Sequence, residues 1–359
     1  MIFLGKKHPL FDSYIKNHCE RAVFTDALLH NTHKGHYIPK ELIEDGKKYF
    51  FHPGLPMFDH RSDLEYIFNF EDQITLYRSI DNGFTQKIDF FKHPETEYLR
   101  YVLEEPRCKK IICHVEKMAQ ALPKLLQSNI IADKVVYKNV GIDVKDNIEI
   151  HKEKKEFTIL FTNSYQDHEF SFFLRGGSFV AEATLNLIKK HKNVKLIMRA
   201  GLSSVNKNFL INALGDNIEI IDKYCSEEEM DQIYRRADIV ILPAARIHSH
   251  SICQAFSYGL PVIGSNGWGM SEFIQNSENG ILLEGFEQVS WHDDNFGCIE
   301  NYDYLNNMPK PKRRYIIEQI YYYLEYYINN PQALSSLKEN CLEICKTKYS
   351  LLNWEEWKI

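Results

Sequence analysis

The 359-residue chain is predicted to be an α/β protein of two domains, the second a doubly wound parallel sheet. Three observations carry this. From Phe157 onward, strand-length apolar runs alternate regularly with segments of helical spacing. The run ADIVILPA at 237–244 is apolar almost throughout, as a parallel strand covered on both faces must be. The length also suffices for two separate cores. With 44% hydrophobic and 26% charged residues the composition is that of a soluble globular protein. A net charge of −6 gives no global pull toward polyanions, so no nucleic-acid partner is expected. None of the eight cysteines stands in a C-x-x-C pair, which favours reduced thiols and a cytoplasmic setting. No signal peptide is read at the start, and no apolar run reaches the roughly 18 residues of a membrane span.

In the first half, short apolar runs at 21–29, 49–52, 74–77 and 109–113 are separated by loops rich in His, Asp and Pro. The clearest unit is KKIICHVEKMAQALPKLL, a strand running straight into a helix, followed by the strand and glycine turn of DKVVYKNVGIDV. The charge run HKEKKE at 151–156 reads as a solvated connector, which sets the expected domain boundary at 148/149. Beyond it come strand FTILFTN, a helix over 179–190, strand VKLIMRA, a helix over 209–214 and strand NIEII. A helix over 227–236 follows Ser226 with Glu229 placed for a capping box. After ADIVILPA, residues 242–280 read as Ser/His-rich loop, small-residue helix, Gly-Pro turn, buried strand, Gly-rich turn and a further helix. The segment from Pro309 to Asn330 is an amphipathic helix with Ile317, Ile320, Leu324 and Ile328 on its apolar stripe. A last helix is expected over 331–348.

Ligands of open parallel sheets sit beyond the carboxyl ends of the strands, so the loops there carry the functional weight. They supply Arg175-Gly176-Gly177, Arg199 and Gly201, and Arg246-Ile247-His248-Ser249-His250-Ser251. Two strand-to-helix turns within 242–280 offer helix N-termini, where unpaired N–H groups and the dipole favour anions. Arginine binds phosphate bidentately. A phosphorylated ligand is the chemistry this combination suits. His248 and His250 lie two apart, but no Cys or carboxylate cluster accompanies them, and no metal site is expected. In the first half, His52, Asp59 and His60 of FFHPGLPMFDH follow a strand and are candidates for polar contacts to a substrate.

The order and spacing of several pieces resemble the donor-binding half of GT-B glycosyltransferases of the family 4 (group 1) type. The matching parts are Pro243, Ser249, Gln254-Ala255, Gly259-Leu260-Pro261-Val262-Ile263, Gly269 with Glu272, and Asn279-Gly280. Upstream, IDKYCSEEEMDQIYRRADIVILP is similar to that family's base-binding turn, with Tyr224, and its Tyr-x-x-Ala-Asp helix end. CHVEKMAQAL and VVYKNVGIDV, with Asn139, Gly141 and Asp143, resemble its last strand–helix before the domain crossing. YSLLNWEEW resembles its final helix, so that 336–359 is expected to return to the first domain.

The resemblance implies a GT-B fold: two Rossmann-like domains facing across a cleft, an acceptor-side domain at 1–148 and a nucleotide-sugar domain at 149–335. It implies transfer of a sugar, with retention, from a nucleotide sugar to a glycan or lipid-linked acceptor in bacterial surface polysaccharide or lipopolysaccharide biosynthesis. Neither cofactor nor metal is implied. The implied roles are catalytic for Arg175 and His52. Donor binding falls to Arg175, Gly176, Arg199, Tyr224, Arg246, His248, Ser249, His250, Ser251, Gln254, Gly269 and Glu272. The implied location is the cytoplasm, at the inner membrane face, where the basic stretches 109–110 and 310–314 suit anionic lipid. The chain departs from the family at its spaced pair of glutamates, which aligns with Arg246 and Gln254. This departure leaves open an altered donor pocket and a non-catalytic partner subunit; a sugar-nucleotide epimerase on the same architecture is a further alternative, against which Arg246 and Gln254 weigh.

Overall fold

A computed structural model describes residues 2–5, 21–24, 36–37, 48–52, 56–57, 65–71, 88–150, 155–163, 172–173, 175–244, 247–286, 297–298 and 308–350. Its contacts divide the chain into two units: Met1–Gly141 with His292–Cys298, and Ile142–Trp291 with Ile299–Ile359.

The first unit is a six-stranded parallel sheet of β1 (Ile2–Gly5), β2 (Arg21–Phe24), β3 (Lys48–His52), β4 (Glu65–Phe70), β5 (Cys108–Cys113) and β6 (Val135–Tyr137). Their order is β2-β1-β3-β4-β5-β6. Between β4 and β5 comes α1 (Pro94–Glu104). It begins where sequence dictates, with His93 as N-cap, Pro94 in the first turn and Glu95 and Glu97 at the positive end of the dipole. Strand β5 leads into α2 (Glu116–Leu125), the strand–helix unit legible in the sequence, and α3 (Asn129–Lys134) leads to β6. Met118, Leu122 and Leu125 of α2 are fully buried. A short antiparallel pairing of Gly297–Cys298 with Ile88–Asp89 brings a later stretch of chain into this unit.

The second unit is built on β7 (Phe157–Thr162), β8 (Val194–Arg199), β9 (Ile218–Ile221), β10 (Ile239–Leu242), β11 (Val262–Ser265) and β12 (Gly280–Leu283). All neighbours pair in parallel, in the order β9-β8-β7-β10-β11-β12. The order reverses between β7 and β10, which opens a crevice at their carboxyl ends. Alternate strand residues face opposite layers. Ile159, Phe161, Leu196, Met198, Ile239 and Ile241 pack in one core with α4 (Gly177–Leu187) and α8 (Lys310–Asn329). Of the expected stripe on α8, Ile317, Ile320 and Leu324 are buried and Ile328 is half-buried, with Ile316 and Tyr327 completing the face.

Helix α5 (Ser204–Leu214) begins five residues before the expected 209 because Ser203 caps it, its hydroxyl accepting from Asn206 N at 3.3 Å. Helix α6 (Glu227–Arg236) has both bonds of the capping box: Glu229 N to Ser226 Oγ at 3.2 Å and Ser226 N to Glu229 Oε2 at 2.8 Å. The helix expected after the turn at 266–269 is a correction. Only a 3₁₀ turn, Met270–Glu272, forms there. Asn279 stops it, accepting from Gln275 N at 2.8 Å and donating to the Phe273 carbonyl at 2.9 Å. The last helix, α9 (Pro331–Ile344), winds into a π turn at Cys345–Tyr349 and packs on α7 (Ser249–Ser257) within this second unit. Residues 351–359 of the segment expected to return to the first domain lie outside the described residues.

Among the described residues no helix is long and apolar enough to cross a membrane. Cys108, Cys113, Cys225, Cys253, Cys341 and Cys345 are buried thiols, and burial raises the thiol pKa of Cys113 and Cys341 well above the usual range.

Candidate functional site at the strand ends of the second unit

Where β7 and β10 end side by side, their two following helices begin. The turn before α4 is Arg175-Gly176-Gly177. Gly176 has φ +77°, and a Cβ there would fall 2.3 Å from the Pro243 carbonyl oxygen just beyond β10. A Cβ on Gly177 would fall 2.2 Å from the ring of Phe172. Glycine is therefore required at both, the first by conformation as well as space. The close approach sets the start of α4 against the end of β10.

Neither α4 nor α7 is capped by a side chain at its N-terminus. Gly176 has none to offer, and His248, the N-cap of α7, uses its ring elsewhere. Arg175 Nη1 donates to His248 Nδ1, bridging the two helix starts across 73 residues of sequence. Arginine has no acceptor and stays protonated, so His248 must present the lone pair of a neutral ring at Nδ1 and carry its proton on Nε2. The crevice thus joins one guanidinium to two helix ends whose first-turn N–H groups have no intrahelical partner. Both dipoles point their positive ends the same way. Ser249, in the first turn of α7, is buried, while His250, Ser251 and Gln254 on the same helix are half-buried.

Arg199 lies one strand over, and it is turned inward. It is 9% exposed, and its Nη1 donates to the carbonyl of Asn163 at the end of β7, while Asn163 N donates to the Arg199 carbonyl at 2.9 Å. This reciprocal pair clamps the ends of β7 and β8. Asn163 was not singled out from the sequence; the one signal was a polar residue directly after an apolar strand. Tyr224 stands in the loop after β9 and is 77% exposed. Gly269 takes φ +78° in the turn after β11, and the Glu272 carbonyl is held by Lys348 Nζ at 3.1 Å. Arg246, Asp59, His60 and the side chain of His52 lie outside the described residues. Among those described, no group of three or more His, Cys, Asp or Glu side chains could hold a metal ion. A cavity of about 200 Å³ lined by Tyr234, Arg235, Tyr258 and Lys338 also occurs in this unit. It lies at the amino ends of the strands, beside Ala237 and Leu260, away from the helix starts.

Residues 158–292 match the family model described as glycosyl transferases group 1. The second unit carries a group 1 glycosyltransferase domain. The chain is 27% identical over 128 residues to the D-inositol 3-phosphate glycosyltransferase of Corynebacterium kroppenstedtii, a match covering 33% of this chain. It covers only 28% of that relative's length. Two solved structures resemble the chain over most of its length. One is a glycosyltransferase from Rickettsia africae, with TM-score 0.54 and 13% identity, over 85% of this chain and 73% of the other. The other is Anabaena HepE in complex with UDP, with TM-score 0.54 and 11% identity, over 98% and 96%. At such identities the likeness establishes the fold: the group 1 domain and the unit before it have the GT-B architecture of two Rossmann-like sheets. The switch-point crevice of the group 1 domain holds Arg175, Gly176, His248 and Ser249 together.

Proposed function

We propose that the protein transfers a sugar from a nucleoside-diphosphate sugar to a glycan or lipid-linked acceptor, and that the donor's diphosphate sits at the starts of α4 and α7. The observation that carries this is the convergence of Arg175 with two side-chain-uncapped helix N-termini at the crossover of a parallel sheet. Such a site supplies preorganised positive charge where a leaving diphosphate gains negative charge, which lowers the barrier without a metal ion. Arg175 neutralises the departing phosphate, the backbone N–H groups at Gly177 and Ser249 take its oxygens, and Tyr224 offers a face to the base. The UDP held by HepE, on the same fold, suits this assignment. Retention of the anomeric configuration, with the leaving phosphate accepting the acceptor's proton on the same face, is the course we infer from the family resemblance. Synthesis of surface polysaccharide or lipopolysaccharide at the inner membrane face is the setting we infer from the family resemblance, with Lys310, Lys312 and Arg314 toward anionic lipid. His52 is assigned to the acceptor side.

The replacement of the family's second glutamate by Gln254 supports one further reading, a binding subunit without turnover. A thermal-shift screen with UDP, GDP, ADP and CDP on the native chain and on Arg175→Ala tests the main one. Ligand at 100 times its Kd stabilises by about 2.7 kcal/mol, a rise in melting temperature of several degrees. One nucleotide is expected to give this rise and Arg175→Ala to lose it. Binding without hydrolysis or transfer of the matching nucleotide sugar would leave the binding-subunit reading in place, and no shift with any nucleotide would remove both.

A further inference from the structure

A long side chain that must meet a phosphate gains from being held in place beforehand. Free, an arginine side chain has rotamer entropy to lose on binding. In this crevice the loss is taken during folding. Gly176 is locked by its positive φ and its contact with Pro243, which fixes the backbone that carries Arg175. On the other side, His248 sits at the N-cap of α7 with φ −140° and ψ 60°, its carbonyl accepting from Ile252 N at 3.0 Å. The backbone that carries the ring receiving the guanidinium is therefore itself fixed by a helix.

We infer that His248 is a positioning residue: its neutral ring holds Arg175 across the starts of α4 and α7, and it acts on the donor diphosphate through Arg175 rather than by touching it. The inference rests on the donor site described above. Two features favour action through the arginine. The Nδ1 lone pair is already engaged by Arg175 Nη1, and a guanidinium carries five N–H donors, of which this bond uses one. The pair also joins residues from two separate βα turns, so it aligns the turns as well as the side chain. Nothing in the glycine turn alone would keep the guanidinium over α7.

The test is calorimetric titration of UDP, GDP and ADP, with the corresponding nucleosides as controls, into the native chain, His248→Phe, His248→Asn, Arg175→Ala and the double variant Arg175→Ala/His248→Phe. Phenylalanine keeps the ring's bulk and removes the acceptor, whereas asparagine restores an acceptor oxygen. His248→Phe is expected to weaken the diphosphate that binds by about tenfold, His248→Asn to recover most of that, and Arg175→Ala to weaken it by about a hundredfold. The double variant should bind no more weakly than Arg175→Ala alone, because a residue acting only through another has nothing left to contribute once that partner is gone. Nucleoside affinity should not change in any variant. If the two losses multiply instead, His248 touches the ligand and the inference falls. It falls too if asparagine is as poor as phenylalanine, which would mark a purely steric role. Should Arg175→Ala bind normally, the positioning role is lost while the helix-start site stands. Binding of no diphosphate by the native chain would remove the donor site and this inference with it.

Discussion

At the scale of single residues, polar side chains at strand ends do two different things in this molecule. In the crevice, His248 and Arg175 turn toward each other and toward two helix starts; at the end of β8, Arg199 turns inward and clamps Asn163. Sequence position alone does not distinguish the two, because each arginine falls between the apolar body of a strand and the helix that follows. What separates them is a backbone carbonyl within reach, known only once the strands are paired. His114, directly after β5, is a third case. It is 3% exposed and its Nδ1–H donates to the Lys138 carbonyl at 3.0 Å. Burial disfavours the charged ring and pulls its pKa from 6.5 to about 4, against a smaller opposing pull from hydrogen bonds to Lys138 and Asn139. The sign follows directly. The folded chain holds His114 neutral, while the unfolded chain protonates it below 6.5, so its contribution is full above that pH and is lost as pH falls toward 4. Lowering the pH from 7 to 5 should cost about 2 kcal/mol from this group alone, an order-of-magnitude figure. Urea unfolding at the two pH values, on the native chain and on His114→Gln, measures it. The variant should show a shallower loss by about that amount; an identical slope would mean that His114 is not buried as a neutral ring.

At the scale of elements, the sequence announces those whose signals are local. The capping box at Ser226 and Glu229, the apolar run of β10 and the strand–helix pair β5–α2 all form where residue pattern places them. The helix expected after β11 does not form, because its stop signal is Asn279, seven residues beyond Glu272 and recognisable only when the chain has turned back. The attachment of α9 was equally hidden. Lys338, 8% exposed, reaches Asp238 Oδ1 at 3.0 Å, and Asp238 Oδ2 accepts from Thr158 N at 2.9 Å. A helix at the end of the chain is thereby pinned to the entrances of β7 and β10. Removing one member of a buried pair leaves the other charge without compensation and costs about 3–5 kcal/mol, more than the pair's own net contribution. Lys338→Met should therefore lower the melting temperature by about 10 °C. Adding Asp238→Asn, which keeps an acceptor for Thr158 N without the charge, should recover much of it. A Lys338→Met chain melting within about 2 °C of the native one would show that the pair does not hold α9.

At the scale of the whole molecule, the question is where a donor would be felt. The two sheets share parallel topology, but their carboxyl-end loops differ in what they offer. In the second unit the strand order reverses between β7 and β10, and both following helices start without a side-chain cap. In the first, the helices after β4 and β5 start differently: α1 is capped by the His93 ring, which accepts from Glu95 N at 3.2 Å, and α2 opens with Glu116, a negative charge in its first turn. An anion is favoured by the second arrangement and disfavoured by an acidic first turn. This asymmetry was partly legible in the sequence, where glycines and arginines crowd the strand ends after Phe157, while Glu95, Glu97 and Glu116 open α1 and α2. Hydrogen exchange on the intact chain converts it into a measurement. With a saturating nucleoside diphosphate, amides at the starts of α4 and α7 change from lacking a helical partner to donating to phosphate. Peptides covering 175–187 and 247–257 should accordingly gain the largest protection, whereas 108–125 should gain little. Protection concentrated in 108–125 instead would move the donor to the first unit and overturn the division of labour between the two sheets, whatever the affinity measured.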